Sequence, residues 1–289
     1  MWQVEADRFL SAASQLSLLV AAVAHDLGHP GVNNPFLVET SHVYALKYND
    51  KSPLENLHCA TLFQIIQAPE ANVFQDVPRD AYKEARKEIV ASILATDMIA
   101  HQPMVVELGL LIEVNSELLG RGLQNPETAE LLQEKGNAQL MRNATLHFCD
   151  TANPMKPWEL CYKYALLCLD EFFAQGDQEK AAGVPVQMLN DRTKVNKPNS
   201  QVGFAEFVIL PMAEKMVSLF PPLAHHTNNL GENVSRWADL WEKDSAPPQE
   251  EVDKLRARVQ KVVDRCSQAS AGRRSSRGRK GSGLGSATF

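Results

Sequence analysis

Seven consecutive residues, His25-Asp26-Leu27-Gly28-His29-Pro30-Gly31, place two imidazoles and a carboxylate at the end of an apolar run. Adjacent helical side chains diverge by about 100°, so His25 and Asp26 address different sides of one centre. His29, one turn on, returns to the side of His25. A neutral imidazole beside a carboxylate is a donor set for a hydrolytic divalent metal rather than a redox one. The ordinary alternative is an Asp cap and a polar His near a helix end. Far downstream, the apolar Leu146-His147-Phe148-Cys149 leads into a second aspartate, Asp150.

The elements that position these residues read as helices. Tyr82, Ala85, Ile89 and Ile93 recur at spacings of three and four, and Val90 and Leu94 widen the stripe into a core-facing face. Similar patterns predict helices over about Leu10 to Asp26, Phe36 to Tyr48, Leu54 to Ile66, Pro157 to Gln175 and Phe204 to Phe220. Pro30-Gly31, Asn33-Asn34-Pro35, Ser52-Pro53 and Asn153-Pro154 mark turns between them. Alternating strand patterns are lacking, so the expected fold is all-α, a compact multi-helix bundle.

The 289 residues, 44% hydrophobic and 22% charged, suffice for one large domain with a real core. A net charge of −6 argues against a phosphate-backbone binder, so DNA is not an expected partner. Five scattered cysteines without a CxxC pair exclude a disulfide scaffold or zinc ribbon and suggest a reducing compartment. Leu16 to Ala24 is too short to span a membrane, and Glu5 and Asp7 deny it the positive flank of a secretion signal. The expected location is cytoplasmic.

Val252, Leu255, Val259, Val262 and Cys266 predict an amphipathic helix over 245–266 that follows a main domain of residues 1–244. Beyond it, 267–289 is Gly/Ser-rich, carries Arg273, Arg274, Arg277, Arg279 and Lys280 without an acid, and is expected to be a disordered tail. Such a tail is either plainly solvated or a basic contact for RNA, an anionic membrane or a kinase at Arg-Arg-Ser-Ser (273–276).

Six blocks then occur in order: HDLGHPGVNN (25–34), LKYNDKSPLENLH (46–58), LATDMIAH (94–101), DTANPMKP (150–157), FFAQGD (172–177) and SQVGF (200–204). The chain resembles the catalytic domain of the class I 3′,5′-cyclic-nucleotide phosphodiesterases, HD-type metallohydrolases, over roughly Leu16 to Asp244. The resemblance implies metal-dependent hydrolysis of cAMP or cGMP to the 5′-monophosphate. It implies that His25, Asp26 and Asp150 hold Zn2+, with Asp26 bridging to a second ion, Mg2+ or Mn2+. His29, Glu55 and Thr96 would orient waters around that ion, and Asp26, His29 and Glu55 form the implied catalytic set. The metals would polarise the phosphate and supply a hydroxide for in-line attack at phosphorus. Gln201, whose amide both donates and accepts, would grip the purine edge, Phe204 would stack on the base, and Asn153 would add a polar contact.

Bland alternatives stand beside each assignment. Glu55 can be a solvated charge at a helix start, Thr96 a back-bonded helix residue and Phe204 plain core. His58 and His147 read as packed, hydrogen-bonded histidines, and His225-His226 as a surface pair. The sequence also departs from the family pattern. No histidine precedes His25, so the His-Asn-xx-His block about 36 residues upstream, which supplies the general acid and a fourth zinc ligand, is not found. The paired His after Glu-Asn becomes Leu57-His58, and Cys161 stands where a Tyr often lines the nucleotide pocket. Losing a general acid typically costs 10²–10⁴-fold. An N-terminally truncated phosphodiesterase of weakened activity is therefore expected, with a pseudoenzyme that binds nucleotide or a protein partner as the alternative.

Overall fold

The apolar run before the His-Asp pair forms α1 (Ala12–Ala24), opened by the Ser11 hydroxyl, which accepts the Ser14 amide at 3.1 Å. That bond satisfies one of the donors every helix start leaves unpaired. In the computed structural model, which describes residues 2–271, helices follow one another with no strand among the described residues. They are α2 (Asn34–Glu39), α3 (Val43–Tyr48), α4 (Pro53–Ile65), α5 (Arg79–Leu94), α6 (His101–Val114), α7 (Ser116–Gly120) and α8 (Pro126–Gln133). Then come α9 (Lys135–Asp150), α10 (Trp158–Ala182), α11 (Lys197–Phe204), α12 (Leu210–Leu219), α13 (Ala224–Ser245) and α14 (Gln249–Ala271).

The expected α5 stripe is the packing face: Ala85, Ile89 and Ile93 are buried and Tyr82 and Val90 partly so. This face meets α1 and α9, and α12 and α13 close the core around Met216, Leu230 and Val234. On α1, Leu18, Ala21 and Ala24 face inward, whereas Leu16, Leu19 and Val23 are exposed, Val23 by 85%. No single described helix is long and apolar enough to cross a membrane.

Several boundaries differ from the sequence expectation. Phe36 to Tyr48 is two helices, because Ser41 turns left-handed (φ 48°) after Thr40 and the His42 amide donates back to Leu37 O at 2.9 Å. That is a Schellman stop, here without glycine. The helix from Pro157 runs on to Ala182, where Gly183 at φ 69° ends it. Phe204 to Phe220 is not one uniform helix. Residues 205–209 widen into a π turn just before Pro211. Proline lacks the amide an α-helix would use there, and its ring would crowd the carbonyl of Phe207 four residues back; the wider turn relieves both.

At the C-terminal end the five expected apolar residues of α14 are all buried, in the same cluster as the rest of the bundle. The helix runs to Ala271, so residues 267–271, expected in the tail, are helical. Residues 272–289, which hold the basic stretch, lie outside the described residues.

Candidate metal and nucleotide site

His25 is the residue after the last turn of α1, and its Nδ1 lies 2.8 Å from Ala22 O. A carbonyl only accepts, so Nδ1 carries the proton and Nε2 is the free donor atom. Nε2 faces Asp150 Oδ1 at 3.2 Å and Asp26 Oδ2 at 3.3 Å. Asp150 closes α9, and the three ligand atoms lie within 4.8 Å of one another. Two helix C-termini thus meet at one point, each adding partial negative charge where a cation would sit.

The electrostatics agree. The hydrogen bond to Asp150, then that to Asp26, pushes the His25 pKa up to about 11, while the His25 contact holds Asp26 below the ordinary carboxylate range. In the metal-free chain His25 is therefore an imidazolium at neutral pH. A metal on Nε2 must displace that proton, so binding should release about one proton and tighten roughly tenfold per pH unit between pH 7 and 9. Calorimetric Zn2+ titration in two buffers of different ionisation enthalpy measures it. Release of no proton would remove Nε2 from the ligand set.

A second group lies beside the first. Glu55, in the first turn of α4, is only 8% exposed, so the solvated-charge alternative is corrected: it is a buried carboxylate. Burial, reinforced by Asp97 and Asp26, raises its pKa against the Asn34 hydrogen bond, which lowers it. Asn34 Nδ2 donates to Glu55 Oε2 at 2.9 Å and Asp97 Oδ2 at 3.2 Å, while Asn34 Oδ1 accepts the Leu54 amide at 3.0 Å. Asn34 and Asp97 were given no role by the sequence reasoning, although both lie inside the quoted blocks. Thr96 Oγ1 donates back to Ile93 O at 2.7 Å, in the turn beyond α5.

The histidines divide. His29 is exposed and stacks on His58 at 5.8 Å between ring centroids. His58 is buried, donates Nδ1 to Leu27 O at 2.7 Å, and its Nε2 lies 3.8 Å from Asp26. His147 is buried and bonded to Ala95 O and His101. The rings of His225 and His226 lie against each other at 3.8 Å between centroids, tilted by 39°, with His225 exposed and His226 half-buried.

Asn153 follows Asp150 by three residues, on a 3₁₀ turn held by α13: Asn233 Nδ2 donates to Pro154 O and Lys156 O, and Asn229 Nδ2 to Met155 O. The Asn153 Oδ1 is buried without a hydrogen-bond partner. Gln201 and Phe204 are three residues apart on α11, hence on one face. Gln201 reaches only its neighbour Ser200, at 3.5 Å, and Phe204 is half-buried against the core. The structure thus brings the three expected metal ligands together, while Gln201 and Phe204 share a face of α11 and make no hydrogen bond or ring contact with them among the described residues.

A model of the 3′,5′-cyclic nucleotide phosphodiesterase family matches residues 1–230. The chain belongs to that family. The human high affinity cGMP-specific 3′,5′-cyclic phosphodiesterase 9A is 34% identical over 247 residues, 85% of this chain and 39% of the relative. The mouse protein of the same name is 35% identical over 221 residues, 76% of this chain and 39% of the relative. The chain thus spans well under half the length of these relatives. Among solved structures, the phosphodiesterase domain of the Salpingoeca rosetta rhodopsin phosphodiesterase matches with a TM-score of 0.75 and 26% identity, over 82% of this chain and 69% of that one. LmjPDEB1 in complex with IBMX matches with a TM-score of 0.72 and 26% identity, over 84% and 70%.

Membership in the phosphodiesterase family implies divalent-metal dependence, and the residues fit. Their N and O donors suit a hard or borderline cation, and the Ala22 bond fixes the required tautomer. Cys161 is buried. Beside it Trp237 packs edge-on against Trp158 at 5.0 Å and stacks on Tyr162 at 5.5 Å.

Proposed function

We propose that this chain is the metal-binding and nucleotide-binding part of a phosphodiesterase that hydrolyses a 3′,5′-cyclic nucleotide to its 5′-monophosphate. The observation that carries the reading is the convergence of His25 Nε2, Asp26 and Asp150 within 4.8 Å from two helix ends. Three protein donors with room for a further ligand make a catalytic rather than a closed structural zinc arrangement. His25, Asp26 and Asp150 would hold Zn2+, and Asp26, the most exposed of them, would reach a second ion, Mg2+ or Mn2+. The bound metals would polarise the phosphate and lower the cost of generating the nucleophile.

This chain's own residues do the rest. Ala22 O keeps the His25 ring oriented, and Asn34 holds Glu55 beside Asp97. His29, Glu55 and Thr96 would orient water at the second ion, Thr96 after turning its hydroxyl from Ile93 O. Asn153, once its buried and unpartnered Oδ1 is uncovered, would accept an N–H of the base, Gln201 would read the purine edge with a donor and an acceptor, and Phe204 would offer its ring. The cGMP-specific relatives make cGMP the first substrate to test. Binding without turnover is the second reading, favoured by Leu57 standing where the phosphodiesterase pattern pairs a second histidine with His58.

Assay of the 289-residue chain against cGMP and cAMP, with Zn2+ and Mg2+ added, separates the readings: turnover supports hydrolysis, and saturable binding without product supports the second. Neither outcome for either nucleotide would overturn both. Gln201→Ala should raise KM, or Kd if no turnover occurs, by about 10- to 100-fold with little change in kcat, because the amide binds ground state and transition state alike. An unchanged KM would remove Gln201 from the base contact.

A further inference from the structure

The last third of α10 does more than fill the core. Glu179 is a carboxylate 1% exposed, and its charge is met by four N–H donors. Oε1 accepts from Gln175 Nε2 at 2.7 Å, Asn190 Nδ2 at 2.9 Å and Gln187 Nε2 at 3.0 Å, and Oε2 accepts the Gln187 backbone amide at 3.0 Å. Burying a carboxylate is tolerated only when its lone pairs are matched in this way. Two of those donors, Gln175 and Gln187, have a second engagement. Gln175 Oε1 accepts the Asn33 amide at 2.8 Å and Gln175 Nε2 donates to Asn33 Oδ1 at 2.9 Å. Gln187 exchanges side-chain bonds with Asn33 at 2.9 and 3.2 Å.

Asn33 caps α2, and the next residue is Asn34, the side chain that joins Glu55 to Asp97 and holds the Leu54 amide. An unbroken chain of bonds therefore runs from Glu179 through Gln175 and Gln187 to Asn33, and through its neighbour Asn34 on to Glu55 and Asp97. An independent feature seats the same loop. A Cβ on Gly176 would lie 2.0 Å from Asn190 O, so the loop backbone rests directly on α10 where only glycine leaves space.

We infer that Glu179 is a positioning residue: by fixing the 184–191 loop and the two glutamines it sets Asn33, and so the placement of Asn34, Glu55 and Asp97 at the second-ion side of the site. The link to a second ion rests on the function proposed above; the link to Asn34 does not. Glu179→Gln keeps the shape but replaces one acceptor by a donor, which then faces the Gln187 amide donor to donor. Nothing else in the chain of contacts is removed.

The test measures amide hydrogen exchange of the full chain together with titration by Mn2+ alone. In Glu179→Gln, exchange should rise roughly tenfold at both Gln187 and Leu54, the effect of about one lost hydrogen bond at each. Mn2+ should bind about tenfold more weakly, the lower end of effects seen when outer partners of a metal site are removed. Faster exchange at Gln187 with Leu54 unchanged would overturn the inference and leave Glu179 a loop anchor. Gln175→Met together with Gln187→Met cuts both side-chain paths from Glu179 to Asn33 while keeping the carboxylate, so the pair should raise Leu54 exchange even if Glu179→Gln fails to fold; an unchanged Leu54 would likewise overturn the inference. Asp177→Asn breaks the exposed pair with Arg192 on the same loop and should leave Leu54 as it is; a rise there would overturn the specific path in favour of general loosening. If the wild-type chain binds no Mn2+, the second-ion reading fails, while the Leu54 result still decides the positioning role.

Discussion

Asp150→Ala should strip the chain of zinc and take with it any cyclic-nucleotide hydrolysis. His25 Nε2, Asp26 and Asp150 are the donor atoms that converge within 4.8 Å, and Asp150 alone comes from α9. Without it the remaining pair is two adjacent residues at the α1 terminus, one donor short of the set. Closed four-donor zinc sites are worth about 10–16 kcal/mol, or about 2.5–4 kcal/mol a donor. Losing one of the three protein donors should then weaken zinc by roughly 10²–10³-fold. Metal content after dialysis measures the first effect and single-turnover hydrolysis the second. Fold loss is not expected, because Asp150 is exposed and packs in no core cluster; circular dichroism checks this. Full zinc content in Asp150→Ala would sink the metal assignment.

The second large effect concerns stability. Gly176→Ala in the interior of α10 should gain about 1 kcal/mol from helix propensity if the site were open. It is not open: the added methyl would meet Asn190 O at 2.0 Å and Asn190 C at 2.7 Å, both backbone atoms that no rotamer change can move. Overpacking of this kind costs about 1–3 kcal/mol and more when backbone must shift, so the clash outweighs the propensity gain. A net loss of about 2 kcal/mol should lower the melting temperature by roughly 4–8 °C. Thermal denaturation followed by circular dichroism reads it. A neutral or stabilising Gly176→Ala would mean that the loop over Gly176 sits looser than the structure has it.

The parts of the molecule legible from sequence are those whose signal is local. The α5 and α14 stripes repeat at three and four residues, so each announces its own buried face. His25 and Asp26 are neighbours at a helix end, and their chemistry can be read without knowing what they meet. Asp150 needed the ordered blocks, since nothing within its own turn says that α9 ends against α1. Glu55 was opaque for another reason. Its partner Asn34 lies 21 residues away and Asp97, which shares that partner, lies 63 residues from Asn34. Burial of a carboxylate is a tertiary fact, invisible to periodicity. The break at Ser41 escaped because serine rarely adopts positive φ and the apolar spacing on either side continues across it. The extension of α10 to Ala182 escaped because its last turns are polar on the surface and glycine sits in their midst.

The wide turn at residues 205–209 has a mechanical meaning. Each helical residue advances the side chains by about 100°, and a π turn takes up residues without advancing the helix as an α turn would. The segment therefore works as a phase adjuster between two surfaces on one rod: Gln201 and Phe204 before it, and the buried Met212, Ala213 and Met216 after it. Point substitutions inside the turn leave that phase intact. Removing a single residue, for example Phe207, which is exposed and fills no core space, would swing the two surfaces about a quarter-turn apart. Tolerance to substitution at Phe207 and intolerance to its removal should thus coexist at one position, between the buried Ala205 and Ile209.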